Sequence, residues 1–147
     1  MPIPSFNSNG LLPPGLHLAT WDEIQTTFGS TGHRQVLLRL LRIALRELKK
    51  CGCGEAYIDG SFVTAKSTPS DYDMCWKAAG VDDSKLDPVL LDFSKGRKAM
   101  KAKYGGDIFP AEFQEGTSGK LFRDFFQIDK ATGSPKGIIQ IDLWTLP

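Results

Sequence analysis

The stretch Asp59–Trp76, DGSFVTAKSTPSDYDMCW, decides how the rest of the chain is read. It sets a Gly60-Ser61 pair ahead of Asp71-Tyr72-Asp73. Side chains alternate along a strand, so Asp71 and Asp73 project to one side and Tyr72 and Met74 to the other. Two carboxylates held this close repel unless a cation or a proton intervenes. A pair of hard oxygen ligands suits Mg²⁺, which completes its shell with water and substrate phosphates. Gly60 lets a phosphate approach the backbone closely. Ser61 offers an N–H and a hydroxyl at the start of a predicted short helix, FVTAK, which would seat an anion.

A third acid stands in GIIQIDLW, residues 137–144. Ile139, Ile141 and Leu143 are expected to face the core, with Gln140 and Asp142 on the opposite side. An acid in so apolar a strand calls for a partner or a metal. If this strand neighbours the Asp71–Asp73 strand, three carboxylates converge, and three carboxylates can hold two divalent ions roughly 3.5–4 Å apart for phosphoryl transfer.

Outward from these strands the chain reads as one domain of 147 residues. Residues 1–19 are expected to form an extended arm rich in Pro, Asn, Ser and Gly, and residues 20–147 the folded domain. Thr20 and Glu23 make a capping box for a short helix that Gly29 ends. A longer helix is predicted over 31–50, with Leu37, Leu40, Leu41, Ala44 and Leu48 on one face. Arg39, Arg42, Arg46, Lys49 and Lys50 gather opposite, either as a solvated surface or as a track for RNA or an acidic partner. EAYID (55–59) and DYDMCW (71–76) read as strands, 85–93 and 94–104 as helices, and DIFPAEF (107–113) as a short strand. DFFQID (124–129) and GIIQIDLW read as a C-terminal hairpin. Strands alternating with helices predict an α/β or α+β fold with a mixed sheet flanked by helices.

GSFVTAKSTPSDYDM resembles the signature of the DNA polymerase beta-like nucleotidyltransferase superfamily: Gly-Ser, a spacer, then Asp-apolar-Asp-apolar. IIQIDLW is similar to that superfamily's third-carboxylate strand. The resemblance is to the minimal nucleotidyltransferases, short bacterial members often found in toxin–antitoxin pairs. It covers Glu55–Trp76 and Gly137–Trp144. It implies that Asp71 and Asp73 bind metal, that Asp142 is a third ligand or the base for the acceptor hydroxyl, and that Ser61 contacts phosphate. The implied cofactor is Mg²⁺, as two ions, with Mn²⁺ as a substitute. The implied reaction moves a nucleoside monophosphate from an NTP such as ATP to a hydroxyl of a protein or RNA acceptor, with pyrophosphate leaving. A cognate toxin or antitoxin would be the partner.

Asp59 departs from the pattern, because the family usually has an apolar residue there. Larger members also carry a helical domain after the third carboxylate that grips base and acceptor. Here the arm, the basic helices or a partner protein would do so. A competing reading is a catalytically idle module with the same fold that senses a nucleotide or neutralises a partner. A third is a nucleic-acid binder acting through the Arg39–Lys50 stripe.

GTSGK (116–120) is not a phosphate loop, because Leu121 follows where Ser or Thr would bind Mg²⁺. Lys120 is still expected to reach the nucleotide if the fold brings it near. Lys95, Arg97, Lys98, Lys101 and Lys103 form either a solvated helix face or a phosphate grip. Phe122, Phe125 and Phe126 read as core. Cys51, Cys53 and Cys75 lack zinc-ligand spacing with His17 and His33, and an odd number of thiols points to a reducing, cytoplasmic setting. A net charge of +1 places any polyanion binding in local charge. No apolar run approaches the roughly 20 residues of a membrane span.

Overall fold

A computed structural model describes residues 3–147. Five strands form one mixed sheet in the order β1-β5-β2-β3-β4, where β1 is Gly15–Leu18, β2 Glu55–Asp59, β3 Tyr72–Trp76, β4 Gly106–Pro110 and β5 Gly137–Asp142. The β1–β5 and β3–β4 pairs are parallel; β5–β2 and β2–β3 are antiparallel. The fold is α+β, with the mixed sheet and flanking helices the sequence predicts.

The helices follow from local chemistry. α1 (Trp21–Phe28) starts at the Thr20–Glu23 capping box, and Gly29 closes it. α2 (Gly32–Lys50) has Thr31 as its N-cap, and its apolar stripe buries Leu37, Leu41, Ala44, Leu45 and Leu48. α3 (Ser94–Tyr104) carries the second basic run. These three helices cover one face of the sheet, where Ala56, Ile58, Tyr72, Met74, Trp76, Ile108, Ile139 and Ile141 join them in the main core. A smaller core lies on the other face, where Ala111 and Phe126 pack on Tyr57, Cys75 and Ile138.

Four expectations are corrected. The arm does not extend to residue 19, because Gly15–Leu18 is the edge strand beside β5, and Leu12 is buried. DFFQID is not a strand: Phe122–Phe125 forms one helical turn, α4, and β5 pairs with β1 and β2 instead of closing a hairpin. The helix expected over 85–93 is replaced by two short 3-10 turns, Asp83–Lys85 and Pro88–Leu91. Asp82 and Asp87 cap them, and Pro88 begins the second. FVTAK forms a single 3-10 turn, Ser61–Val63, too short to supply the helix terminus expected to seat an anion.

Candidate active site

β2 and β3 run antiparallel with Asp59 opposite Asp73, and β3 and β4 run parallel with Asp73 beside Asp107. Alternation puts all three side chains on the face away from α1, α2 and α3, as a row of acids across three strands. Asp71, two residues before Asp73, joins the row at its edge. Like charges facing each other across strands destabilise a sheet. Such a row is not what packing alone would select.

Cations stand at both ends. Lys136, just ahead of β5, lies 2.9 Å from Asp59 Oδ1, and both side chains are largely buried. Beyond that ion pair Asp59 Oδ1 accepts no well-formed hydrogen bond among the described residues. At the other end the Arg97 Nε–H donates to Asp107 Oδ1 at 2.7 Å, and Lys101 Nζ lies 3.6 Å from the same oxygen and 4.0 Å from Asp71 Oδ2. Arg97 is delivered there by an unusual backbone. Lys95, Gly96 and Arg97 have φ of 52°, 63° and 64°, in the left-handed region. Two of the three are not glycine, a strained arrangement of a kind that concentrates at functional sites. The Arg97 guanidinium also lies over the Phe109 ring, 5.4 Å from its centre.

Asp73, in the middle, has no side-chain hydrogen bond or ion pair among the described residues. Burial, then Asp59, Asp107 and Asp71, push its carboxyl up to about 7. Burial and Asp107 also raise Asp71, against the pull of Lys101 and Arg97. Burial raises Asp59, and Lys136 opposes the shift.

Gly60 is required where it stands. Its φ is 88°, and a Cβ there would lie 3.0 Å from Asp73 Oδ2 and 3.1 Å from Asp73 N. Beside it opens a cavity of about 270 Å³ whose walls include Asp59, Gly60, Ser61, Asp73, Lys130 and Lys136, with Phe125 and Ile128 on an apolar side. The loop after Gly60 is fixed by a residue that sequence reading passed over. Arg34, 3% exposed, donates to the carbonyls of Phe62 (2.6 Å), Thr64 (2.8 Å) and Lys66 (2.5 Å), and more weakly to Phe28 (3.4 Å). A guanidinium has the five fixed donors such a loop needs.

The sequence-predicted residues therefore divide. Gly60, Ser61, Asp71 and Asp73 come together. Asp142 does not. It pairs in register with Glu55 at the opposite end of β2, about 13 Å along the strand from Asp59 at about 3.3 Å per residue. There Asp142 Oδ1 accepts from the Trp144 N–H at 3.0 Å and caps a turn. β5 is also not a neighbour of β3, because β2 lies between them. Lys120 does not reach the site either. It sits exposed in the 115–121 loop, beyond the end of β4 that is remote from Asp107, and it does not line the cavity. Lys130 and Lys136 occupy the place expected for it. Asp107 is the acid that sequence reading missed. Its signal was the alternation in GDIFP, a polar residue between positions that must face the core.

The donor chemistry fits a hard divalent cation. Asp73 is a half-buried carboxylate with no partner among the described residues, flanked by carboxylates whose mutual repulsion a cation relieves. As the side chains stand, no group of three His, Cys, Asp or Glu among the described residues is arranged to hold a metal ion, and Asp107 is committed to Arg97 and Lys101.

Residues 4–142 match the model of a family of unknown function, DUF6932. The chain belongs to the DUF6932 family. No curated protein and no solved structure matches it. Within this DUF6932 chain the matched span takes in β1 to β5 and every acid of the row. No helix among the described residues is long and apolar enough to cross a membrane.

Proposed function

We propose that this protein is a metal-dependent nucleotidyltransferase that moves a nucleoside monophosphate from an NTP to an acceptor hydroxyl. The observation that carries this reading is the unpartnered Asp73 carboxylate, packed against Gly60 and set between Asp59 and Asp107. Asp71 and Asp73 would hold Mg²⁺, with Asp107 as the third acid once Arg97 leaves it. Bound there, Mg²⁺ supplies charge neutralisation for the phosphates.

The chain's own residues do the rest. Gly60 lets the leaving phosphates approach the backbone, and Ser61, Lys130 and Lys136 line the cavity that would take them. Arg34 keeps the 62–66 loop in place, so the seat is preorganised. The acceptor oxygen bonds to the α-phosphorus, the α–β phosphoanhydride bond breaks, and pyrophosphate leaves. The acceptor proton passes to the Asp107 carboxylate, the role expected of Asp142. The acceptor is a protein or RNA hydroxyl. By resemblance, the setting is a toxin–antitoxin or defence system.

One observation favours the second reading, an idle nucleotide-sensing module: Arg97 and Lys136 each hold an acid of the row. Labelling decides between them. The full chain is incubated with each α-labelled NTP, Mg²⁺ and whole-cell lysate. Transfer of label that is lost in Asp71→Ala with Asp73→Ala supports the enzyme. NTP binding with no transfer to any acceptor supports the module.

A further inference from the structure

We propose a second binding site, in the groove between α1 and α2, that takes a phosphate group carried by a nucleotide or a nucleic-acid strand. The groove has a volume of about 560 Å³, and its lining includes Trp21, Gln25, Thr26, Gln35, Arg39 and Arg42. That is within the usual size of a small-molecule site.

The lining contains two arginines and no acid. The acids of α1, Asp22 and Glu23, line a different cavity. Arg39 is exposed and has no hydrogen bond or ion pair among the described residues. Further along the same stripe Arg46 and Lys49 donate to the carbonyls of Pro147 and Leu146, and Arg42 Nη2 donates more weakly to Pro147, at 3.4 Å. The stripe is therefore two regions, one fastening the C-terminal segment and one left open at Arg39.

The second observation is independent of charge. Trp21 is 4% exposed, and its indole N–H has no acceptor among the described residues. The Arg42 Nε–H beside it is also buried without an acceptor, while the guanidinium lies 5.9 Å from the Trp21 ring centre. A buried donor without a partner costs about 1–3 kcal/mol, so folded chains rarely keep two side by side. Both groups are closed to solvent, so a ligand rich in acceptor oxygens relieves them by drawing the Trp21 and Arg42 side chains toward the groove.

The donor set selects phosphate over carboxylate. Arg39 and Arg42 are three residues apart on one helical face and both line the groove, so the open Arg39 fork and the Arg42 Nε–H, which Pro147 leaves unused, share a target. With the indole N–H and the Gln25 amide they offer more donors than two carboxylate oxygens can accept. Phosphate oxygens match them, and Arg recognises phosphate bidentately. The groove lies in the helical layer, on the opposite side of the sheet from the acid row, so the site is separate from the proposed catalytic one.

The test uses the full chain, with tryptophan fluorescence and calorimetry against inorganic phosphate, AMP and a 12-nucleotide single-stranded RNA. The wild type is expected to bind phosphate-bearing probes. Arg39→Gln should weaken them about tenfold, the loss of one charged hydrogen bond. Trp21→Phe keeps an aromatic ring, though a smaller one, removes the N–H and should weaken binding several-fold. Asp73→Asn should bind as the wild type does, whether or not the acid row is catalytic. AMP binding as tightly as RNA identifies a nucleotide ligand; tighter, salt-sensitive RNA binding identifies a strand. Arg39 is exposed and unpaired, so its variant should fold even if Trp21→Phe does not. The proposal is overturned if no probe binds, if Arg39→Gln binds like the wild type, or if poly-glutamate competes as well as RNA at equal charge.

Discussion

The Asp73 carboxylate rests against the α-carbon of Gly60, so close that a methyl group on Gly60 would meet Asp73 Oδ2 at 3.0 Å. Gly60→Ala therefore adds a clash to an unfavourable φ of 88°. The expected cost is about 1–3 kcal/mol, read as a lower denaturant midpoint. Nucleotide transfer should fall further than the stability loss explains, because the alanine pushes Asp73 out of the row.

Asp73 should make the fold less stable as pH rises. Its carboxyl is raised from 3.8 to about 7, so between those values the native state holds a proton the unfolded state has lost. Stability then declines from about pH 4 to pH 7, and the penalty is in full force above pH 7. A carboxyl raised that far carries at most about 4 kcal/mol. Asp73→Asn should melt higher than the wild type at pH 8 and equal it near pH 3.5, while losing all transfer. Equal melting at both pH values would show that the carboxyl is not strained.

Arg97 should compete with a divalent cation for Asp107. Arg97→Met removes the 2.7 Å hydrogen bond and leaves Asp107 facing only Lys101, 3.6 Å away. A charged hydrogen bond contributes about 1.5–3 kcal/mol, so Mn²⁺ affinity, measured by electron paramagnetic resonance, should rise at least tenfold. Unchanged or weaker Mn²⁺ binding would mean that Arg97 does not guard a metal ligand.

Asp107 and Asp142 should separate cleanly. Asp107→Ala is expected to abolish transfer and weaken Mn²⁺ binding. Asp142→Ala should keep both and lose only the turn cap, about 1 kcal/mol. The reverse result in the labelling assay would restore the third acid to β5.

Arg34→Met should be among the most damaging single changes. It leaves the carbonyls of Phe62, Thr64 and Lys66 without their shared donor in a buried place. Several kcal/mol of stability should be lost, and proteolysis should cut first within residues 62–66.

Much of this was legible in the sequence, for physical reasons that also mark where reading stopped. The Thr20–Glu23 box and the Leu37–Leu48 stripe are local signals, and both helices stand where those signals put them. The alternation in EAYID and DYDMCW likewise predicts β2 and β3 and one shared side for Asp71 and Asp73, whereas the pairing that sets Asp59 opposite Asp73 is seen only in the structure. Which strand lies beside β3 is a long-range matter that no local pattern encodes, so Asp142 was chosen where Asp107 stands. DFFQID misled because its two Phe, with Phe122 just before them, need only one helical turn to pack under the sheet. Arg34 looked like one more charge on a basic helix, and only the loop folded over it shows what it holds.

The position of β5 has a consequence for how the chain reaches this fold. Leu16 pairs with Ile138 and Ile58 with Ile139, so the strand that joins the edge to the middle of the sheet is the last to be made. On a ribosome, β1 would emerge early and wait for more than a hundred residues to follow. Until then its backbone N–H and C=O groups lack the strand they pair with. High contact order of this kind slows folding, and it makes nascent chains halted before residue 137 the species most prone to aggregate.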